Sequence, residues 1–548
     1  MMQLLHQRLR LAESFTGKLE QSRYLLIGGL TVLYAVSTSV LAARKLMWND
    51  ELYTYYIARL PTMADVWGAL MAGGEQLPPF FYVMTRASLA LFGVNNLALR
   101  LPEMIGFWVM SLCLFIFVAR RTSNLYGLVA ATFPLVTGAY AYAYEARPYG
   151  LVLGFGALAL LCWQSATIDY FRRLSIFCLA LSLAAALSSH YYGVFVVFPL
   201  ALGEAMRTLK RHRVDAPVWA ALGLAASPLL WHLPLIKQAR AYSGAFWAPP
   251  IWLGIPDFYY NMLASAVLPV VAMLFLAGIY TTIFRPAAIA QNHAARTQNQ
   301  LTGVAPPLHE VAAAFGFVVI PFICVVLAKL VTGAFTDRYA IPAIIGLSIL
   351  VAFIAAKLFD TTALMAAAVV VCFVGWFGVL ELKAVRTVSD NWLNTTLQLI
   401  ESDSESGLPI VASDPHTFIE LAHYAPPEIA SRLVYLADPP TALRRIKYDS
   451  VERGMIDLLK PWFRLNVTDY KSYVASRPRF LVYGSLGFLS WITPQLKEDG
   501  MRIELRGTNG SKFLFLAYPD EQAADVRLHH IIEPSPVRSK LSSRIASK

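Results

Sequence analysis

Two adjacent carboxylates, Asp50 and Glu51, follow closely on the first long apolar segment, residues 24–43. Trp48 and Tyr53 flank them, and such rings favour the headgroup level of a bilayer. A partly desolvated carboxylate has a raised pKa and can act as a base near neutral pH. The structural alternative is the solvated start of a loop with interfacial aromatic residues. The pair therefore indicates an acid/base site at a membrane boundary if the rest of the chain supports one.

Further charged residues are predicted at the same membrane face. They form three groups, namely Glu145 with Arg147, Lys237 with Arg240, and Asp337 with Arg338. Arginine offers paired donors that match phosphate oxygens, and fixed cations stabilise a phosphate leaving group as it gains charge. A carboxylate opposite such a phosphate can take the proton of an attacking hydroxyl. The combination predicts acid/base chemistry on a phosphate-linked substrate.

Each group also has a structural interpretation. Glu145 and Arg147 are close enough in sequence to form a local ion pair, and Arg338 could anchor the start of a helix. Lys237 and Arg240 suit the surface of a loop. His190, at the end of a predicted span, is more often a satisfied polar group than a catalyst. These alternatives stay open at the level of the sequence.

The composition is that of a polytopic membrane protein. Of 548 residues, 57% are hydrophobic and 15% charged, against about 45–50% and about 25% in soluble proteins. The formal charge of +11 comes from basic residues that separate apolar runs, which excludes a nucleic-acid-binding face. The five cysteines fall in apolar runs without metal-ligand spacing, so no metal site is predicted, although a divalent ion stays possible.

Charge sets the predicted topology. A short apolar run at residues 78–92 is interrupted by Arg86, so we interpret it as an interfacial or re-entrant helix within the loop 44–100. If it does not cross, the basic loops after the later spans all face the cytoplasm, as the positive-inside rule requires. Eleven spans follow, with the N-terminus in the cytoplasm. The predicted spans are residues 24–43, 101–119, 126–143, 149–166, 174–190, 192–206, 216–233, 263–283, 311–331, 341–356 and 362–381.

Four regions are therefore expected. Residues 1–23 form an amphipathic cytoplasmic helix, and residues 24–382 the transmembrane domain. Alternating apolar runs predict an extracytoplasmic α/β domain at 383–534, followed by a basic flexible tail at 535–548. The four predicted strands of this domain are residues 408–412, 432–437, 480–483 and 513–518.

The order of three motifs resembles the C-type glycosyltransferases. Residues 49–53 read Asn-Asp-Glu-Leu-Tyr, residues 76–82 read Gln-Leu-Pro-Pro-Phe-Phe-Tyr, and residues 91–102 end in Leu-Arg-Leu-Pro. The likeness is to the branch with protein O-mannosyltransferases, lipid A aminoarabinose transferases and lipopolysaccharide galacturonosyltransferases. Glu145–Tyr149 and Arg338 with Tyr339 also fit this branch, and the match runs over about residues 20–380.

The resemblance implies an inverting transfer of a hexose or pentose from a polyprenyl-phosphate donor. The acceptor is a glycan, lipid A or a protein, and the reaction takes place at the outer, periplasmic face of the bacterial cytoplasmic membrane. Asp50 is implied as the base. Glu51 is implied in catalysis either by orienting Asp50 or by contact with the acceptor, and Glu145 as a second catalytic acid at the outer end of its span. Arg147 and Arg338 are candidates for the lipid phosphate. Residues expected to line the substrate are Tyr53, Tyr56, Tyr149, His190 and Tyr339.

One departure from the lipid A branch concerns the phosphate. Those enzymes carry a lysine just before the proline-rich motif, where this chain has Gln76 and Leu77. Arg86, Lys237 or Arg240 are candidates to replace that lysine, and the departure puts an aminoarabinose assignment in doubt.

Two other functions are compatible with the sequence. A lipid-linked sugar transporter typically shows internal repeats and polar residues at the bilayer midplane, whereas these charges gather at one face. An oligosaccharide polymerase or ligase shares the outer-face chemistry, but does not place an Asp-Glu pair after the first span. The glycosyltransferase is therefore the favoured hypothesis.

Overall fold

The computed structural model describes residues 2–242, 245–284, 306–388, 392–487 and 490–520, with the backbone alone at residues 2–10 and 283–284. Two compact units are present, residues 1–390 and 391–548. The predicted tail at 535–548 lies outside the described residues.

The first unit contains helices and the loops between them, and no strand among its described residues. Its helices are α1 (Met2–Gln21), α2 (Arg23–Arg44), α3 (Asn49–Ala58), α4 (Met63–Met71), α5 (Pro79–Phe92), α6 (Asn96–Ala119), α7 (Asn124–Thr132), α8 (Tyr149–Thr167), α9 (Arg172–Ser189), α10 (Val197–Arg211), α11 (Ala216–Leu224), α12 (Pro228–Arg240), α13 (Gly254–Leu263), α14 (Val267–Ile279), α15 (Leu308–Val318), α16 (Ile320–Leu327), α17 (Ala343–Leu358) and α18 (Ala363–Val388). Short 3-10 or π turns link several of them, at Phe133–Val136, Gly138–Ala143, Tyr191–Val196, Ala264–Ala266, Tyr280–Phe284, Ala328–Thr332 and Asp337–Ala340.

The helices confirm a multi-pass membrane protein. Eight described helical segments are long and apolar enough to cross a bilayer, and α15 with α16 makes a ninth if the pair, bent by 49°, is one span. The two remaining predicted spans coincide with the shorter apolar helices at Asn124–Val136 and Ala343–Leu358. Helix α5 is also too short for a comfortable crossing, as its sequence predicts.

Glycines bring α6 and α8 into close contact. A Cβ atom on Gly150 would lie 2.4 Å from the carbonyl oxygen of Glu103, and one on Gly154 would lie 2.4 Å from that of Gly106. Small residues four apart allow two helix backbones to approach in this way. The Glu103 carboxylate then accepts a hydrogen bond of 2.9 Å from the Leu151 backbone amide at the start of α8. The segment that precedes α8, residues 145–148, is thereby fixed against α6.

The loop between α2 and α6 contains three short helices, each with a start signal in its first turn. In α3, Asp50 and Glu51 occupy the first turn, where the helix dipole favours negative charge. Helix α4 begins with a capping box between Thr62 and Asp65. Helix α5 begins with Pro79 at its first position, where the missing amide costs no hydrogen bond. Local sequence therefore determines where each of these helices starts.

The second unit contains a mixed six-stranded sheet. Its strands are β1 (Ile410–Ala412), β2 (Leu433–Ala437), β3 (Val467–Asp469), β4 (Phe480–Ser485), β5 (Met501–Asn509) and β6 (Lys512–Pro519), in the order β3-β2-β1-β4-β6-β5. Strands β1 to β4 are parallel, and β6 pairs antiparallel with both β4 and β5. The helices of this unit are α19 (Trp392–Glu401), α20 (Pro415–Tyr424), α21 (Pro427–Ala430), α22 (Pro439–Ile446), α23 (Ser450–Gly454), α24 (Tyr470–Ser476) and α25 (Ile492–Glu498).

The α/β character of the second unit was predictable, but two strands were not. The sequence predicted β1, β2, β4 and β6. The first three are almost wholly buried, and β6 is buried or partly buried at all but its last residue. Strand β3 has only three residues, and β5 alternates Arg, Glu and Arg with apolar residues at the edge of the sheet. An edge strand with one buried residue, such as β5, carries no continuous apolar signal.

Candidate active site

Asp50 lies between two arginines that come from distant parts of the chain. Its Oδ2 accepts a hydrogen bond of 2.5 Å from Nη1 of Arg338 and lies 3.8 Å from Nε of Arg147. Its Oδ1 accepts a hydrogen bond of 3.1 Å from the Asn49 side chain. The Asp50 side chain is 17% exposed to solvent. It is therefore a held but accessible carboxylate at the start of α3.

Glu51, the neighbouring acid, is fully buried and fully engaged. Arg100 donates to it from Nε at 2.7 Å and from Nη2 at 2.8 Å, and the Ala146 amide donates at 2.7 Å. Arg100 also donates to the carbonyls of Ala42 and Lys45 at the end of α2. The Glu51 side chain has no exposed surface, and its oxygens are occupied by donors of the protein. Of the two roles expected from the sequence, this geometry fits the orientation of Asp50 better than contact with an acceptor.

Arg147 is held by a carboxylate that the sequence analysis did not single out, Glu75. Its Nη1 and Nη2 atoms donate to Glu75 at 3.0 and 3.4 Å, and Nη1 also donates to the Asp50 carbonyl at 3.2 Å. Burial acts to lower the pKa of Arg147, but the charges of Glu75 and Asp50 outweigh it and raise the pKa well above its usual value. The guanidinium is therefore a permanent cation beside Asp50.

Glu145 makes an ion pair with Lys45 rather than with its sequence neighbour Arg147. The Lys45 ammonium donates to Oε1 of Glu145 at 2.5 Å and lies over the ring of Tyr144. Burial raises the pKa of the Glu145 carboxyl, and Lys45 opposes that rise. A second acid with a raised pKa thus lies on the segment just before α8.

Several buried donors at this site have no hydrogen-bond partner in the described structure. They are Nε of Arg147, Nε of Arg338, Nε1 of Trp48, and the hydroxyl of Tyr82. Arg338 also lies over the Trp48 ring, at 5.8 Å from its centroid. Buried polar groups in native proteins are nearly always paired. Unpaired donors gathered beside Asp50 therefore fit a ligand rich in acceptor oxygens.

Aromatic rings form one wall of the site. His190 packs against Tyr149 at 5.4 Å and against Tyr339 at 5.2 Å, and Tyr339 stacks on Tyr192 at 4.3 Å. Burial, with the charges of Arg147 and Arg338, lowers the pKa of His190 to about 3. Its Nδ1 accepts the Tyr192 amide. His190 is therefore a neutral packing residue of the wall at physiological pH.

Tyr53 belongs to the same site, and Tyr56 lies one turn further along α3. Burial raises the pKa of Tyr53, and the charges of Glu75 and Asp50 add to that rise. For Tyr56, burial and the neighbouring Tyr55 raise the pKa to about 12. Both phenols are thus neutral, and Tyr53 is the one that faces the acidic residues.

Among the described residues, no hydrogen bond or ion pair joins Asp50 to Arg86 or Lys237, two of the three cations proposed to replace the missing lysine. Arg86 donates to the carbonyls of Ala58, Leu60 and Pro61, so it holds the end of α3. Lys237 and Arg240 are exposed in the last turn of α12. The cations that lie beside Asp50 are Arg147 and Arg338.

The missed residues share one property, which is that their partners are remote in sequence. Glu75 and Arg147 are 72 positions apart, Lys45 and Glu145 are 100 apart, and Glu51 and Arg100 are 49 apart. The available signal was a charge beside an apolar run: Glu75 precedes the proline-rich motif, and Arg100 is the fifth residue of an apolar helix. Such a charge indicates a buried partner but does not name it.

Within the described residues, no group of three or more histidine, cysteine or acidic side chains has the arrangement of a metal site. What the cluster offers is a carboxylate that can accept a proton, beside two fixed guanidinium groups with free donors. This arrangement can bind an anionic group with several oxygens and deprotonate a nucleophile next to it.

Known proteins share parts of this chain and its fold. The family model for dolichyl-phosphate-mannose-protein mannosyltransferases matches residues 76–234. The structure of ArnT from Cupriavidus metallidurans in the apo state is 13% identical, covers 90% of this chain and 97% of its own, and has a TM-score of 0.51. The same protein bound to undecaprenyl phosphate gives 12% identity, the same coverage and a TM-score of 0.49.

A more remote structure is the apo oligosaccharyltransferase of Archaeoglobus fulgidus, with 10% identity, 91% and 75% coverage, and a TM-score of 0.42. No curated protein matches the sequence significantly. The similarity to apo ArnT establishes a shared fold over nearly the whole chain. Together with the family match, it confirms the predicted resemblance to the C-type glycosyltransferases.

Proposed function

We propose that this protein is a glycosyltransferase that moves a sugar from a polyprenyl-phosphate donor to an acceptor hydroxyl with inversion at the anomeric carbon. The observation that carries the proposal is Asp50 between Arg147 and Arg338, with unpaired donors on both arginines. The matched range of the dolichyl-phosphate-mannose-protein mannosyltransferase family, residues 76–234, includes Arg147. This match supports a lipid-phosphate donor.

Asp50 is assigned as the base. The acceptor oxygen attacks the anomeric carbon while its proton passes to the Asp50 carboxylate. The bond between that carbon and the phosphate oxygen breaks, and the electron pair stays on the phosphate. Direct displacement inverts the anomeric centre. General-base catalysis of this kind contributes about 10²–10⁴-fold in rate.

Arg147 and Arg338 are assigned to the phosphate. Carboxylates hold both guanidinium groups in place. Their Nε donors have no partner in the protein, so they are already oriented when a ligand binds. Because charge develops on the phosphate oxygen as the bond breaks, these donors stabilise the transition state more than the ground state. Tyr149, His190 and Tyr339 supply an apolar wall against which a sugar ring or a lipid can pack.

Positioning of the site falls to the buried ion pairs. Glu51 and Arg100 fix the start of α3, Glu75 fixes Arg147, and Lys45 fixes Glu145. Glu145 stays a candidate for a second acid because burial raises its pKa. All of these residues lie at the same end of α2, α6 and α8, so one membrane face carries the chemistry.

We assign that face to the outside of the bacterial cytoplasmic membrane. The basic residues at the opposite helix ends support a cytoplasmic N-terminus through the positive-inside rule. The acceptor classes compatible with this location are lipid A or lipopolysaccharide, a cell-wall glycan, and a protein.

Mass spectrometry of envelope glycans and glycoproteins tests the proposal in cells. A deletion strain is complemented with wild type, with Asp50→Asn, or with Asp257→Asn, which changes an exposed acid in the first turn of α13. Loss of one sugar in the deletion and in Asp50→Asn, but not in Asp257→Asn, is the expected result. If complementation with Asp50→Asn restored the sugar, the assignment of Asp50 as the base would be refuted. Accumulation of the lipid-linked donor on the cytoplasmic leaflet would indicate a transporter.

A further inference from the structure

A second charged cleft opens at the other end of the helical unit. Its volume is about 790 Å³. Five cations line it against two carboxylates, Asp169 and Asp215. The five cations are Arg172, Arg207, Lys210, Arg211 and Arg213. The cleft is therefore a net positive cavity that the proposed reaction does not use.

The floor of the cleft is an organised ion-pair network. Arg172 donates from Nη2 to both oxygens of Asp215, at 2.6 and 2.7 Å. Arg207 donates from Nη1 to Asp215 at 2.9 Å and to Glu204 at 2.7 Å. Asp215 thus links the start of α9 to the end of α10, and the cleft has a fixed shape.

The rim of the cleft differs from its floor. Lys210, Arg211 and Arg213 are exposed, and none of them has an ion-pair partner among the described residues. The next residue along the chain from Arg211, His212, adopts a left-handed conformation with φ of 51°, which turns the backbone between Arg211 and Arg213. Three uncompensated positive charges therefore surround an already formed cavity.

Helix ends put the cleft at the level of lipid headgroups. Four membrane-span candidates end around it: Tyr149–Thr167, Arg172–Ser189, Tyr191–Arg211 and Ala216–Arg240. Large apolar side chains beside the cations are exposed, among them Leu209 at 68% and Val214 at 63%. Apolar and basic residues side by side at a span end are typical of contact with an anionic membrane surface.

We propose that this cleft binds the phosphate headgroup of an anionic membrane lipid. Lys210, Arg211 and Arg213 contact the phosphate, while Leu209 and Val214 lie against the acyl chains. Helix α9 carries Arg172 at this end and His190 follows its other end at the candidate active site, about 27 Å away at 1.5 Å per residue. The cleft is therefore distinct from the polyprenyl-phosphate site.

Native mass spectrometry of the full chain in detergent tests the proposal. The protein is titrated with dioleoyl phosphatidylglycerol, with dioleoyl phosphatidylcholine, and separately with inorganic phosphate. The variant Lys210→Gln/Arg211→Gln/Arg213→Gln is compared with Lys18→Gln/Arg173→Gln/Lys357→Gln. The control removes three exposed cations from the same end of the unit without altering the residues that line the cleft.

The expected result is that wild type and control bind phosphatidylglycerol at least ten-fold more tightly than the cleft variant does, and more tightly than phosphatidylcholine. Equal weakening in cleft variant and control would overturn the proposal, since binding would then follow net charge alone. Inorganic phosphate that displaces the lipid at equal concentration would also overturn it, in favour of a free-phosphate site. A cleft variant with unchanged binding would place the lipid elsewhere.

Discussion

At the residue scale, the candidate site depends on how one carboxylate is surrounded. Asp50 has arginines on two sides, yet the Nε atoms of both arginines lack a hydrogen-bond partner. Leaving buried donors unpaired costs about 1–3 kcal/mol for each group. A phosphate that accepts these hydrogen bonds recovers that cost, so the arrangement is ready for an anion.

Replacement of Arg338 tests the phosphate role. We expect Arg338→Gln to lower kcat/KM for the lipid donor by about 10- to 100-fold, since hydrogen bonds to charged groups contribute roughly 1.5–3 kcal/mol. Arg338→Lys keeps the charge but loses the planar pair of donors, and should recover only part of the activity. Steady-state kinetics with varied donor measure both.

The matched control is Lys237→Gln, because Lys237 is exposed on α12. If Lys237→Gln impaired donor use as strongly as Arg338→Gln, the phosphate assignment would be wrong.

The sequence singled out the charged residues of the candidate site better than their ion-pair partners. Asp50, Arg147 and Arg338 were predicted because carboxylates and arginines at one membrane face suit acid/base chemistry on a phosphate, and because they fit the motifs of the resembled family. Glu75 and Lys45 were missed as partners because ion pairs between remote segments depend on helix packing. For Glu51, the sequence could not distinguish an exposed acid from one buried against Arg100.

At the element scale, Arg100 joins three pieces of the unit. Arg100 belongs to α6. Its guanidinium donates hydrogen bonds to Glu51 of α3 and to two backbone carbonyls at the end of α2. A buried pair of this kind is costly to break, because removal of one partner leaves an uncompensated charge.

We therefore expect Glu51→Gln and Arg100→Met each to destabilise the protein by about 3–5 kcal/mol. The double variant Glu51→Leu/Arg100→Met should lose less than the sum of the two. Thermal unfolding in detergent measures all three. Additive losses would show that the two side chains do not act as a pair.

Contact between α6 and α8 gives a second element-scale prediction. Gly154→Ala forces a Cβ to within 2.4 Å of the Gly106 carbonyl oxygen, so the helices must separate. Overpacking of this kind costs about 1–3 kcal/mol, and the shift should also lower activity because residues 145–148 precede α8.

Gly375→Ala in α18 is the control, since a Cβ there meets no atom within 4 Å. Thermal unfolding and sugar transfer are measured for both variants. Equal behaviour of the two would refute the close contact.

The sequence predicted the long, continuous apolar helices. It did not predict where a span breaks or bends, because that depends on packing against other helices. The predicted span 126–143 is a short helix followed by two 3-10 turns, with Pro134 in the first of them. The predicted span 311–331 bends by 49° between α15 and α16, next to Pro321. Apolar composition indicates membrane depth but does not determine whether the helix continues.

At the scale of the whole molecule, the stability of the second unit is expected to depend on pH, because its core contains the buried carboxyl group of Glu452. Glu452 accepts hydrogen bonds from the Tyr435 hydroxyl at 2.6 Å and from Nε1 of Trp491 at 3.0 Å. Burial nevertheless raises its pKa from 4.5 to about 7. Between these two pH values the Glu452 carboxyl keeps its proton in the folded protein and loses it in the unfolded protein.

The sign of the pH effect follows from this difference. Stability that is fully present below pH 4.5 is lost as the pH rises to about 7, by an amount on the order of 3 kcal/mol. Glu452→Gln should remove most of that slope and make the unit more stable than wild type at pH 8. Hydrogen exchange of strand β2, corrected for intrinsic rates, measures it. An unchanged slope would contradict the assignment to Glu452.

The most direct test of the central claim uses purified protein and polyprenyl-phosphate sugars extracted from the membranes of the deletion strain. Formation of free polyprenyl phosphate is followed in the presence of an extract of acceptors from the same strain. We predict that wild type releases polyprenyl phosphate as sugar reaches the acceptor, and that Asp50→Asn slows both by about 10²–10⁴-fold while its thermal stability stays close to wild type. Transfer by folded Asp50→Asn at the wild-type rate would contradict Asp50 as the base, and a folded wild type that never releases polyprenyl phosphate would contradict the proposed reaction itself.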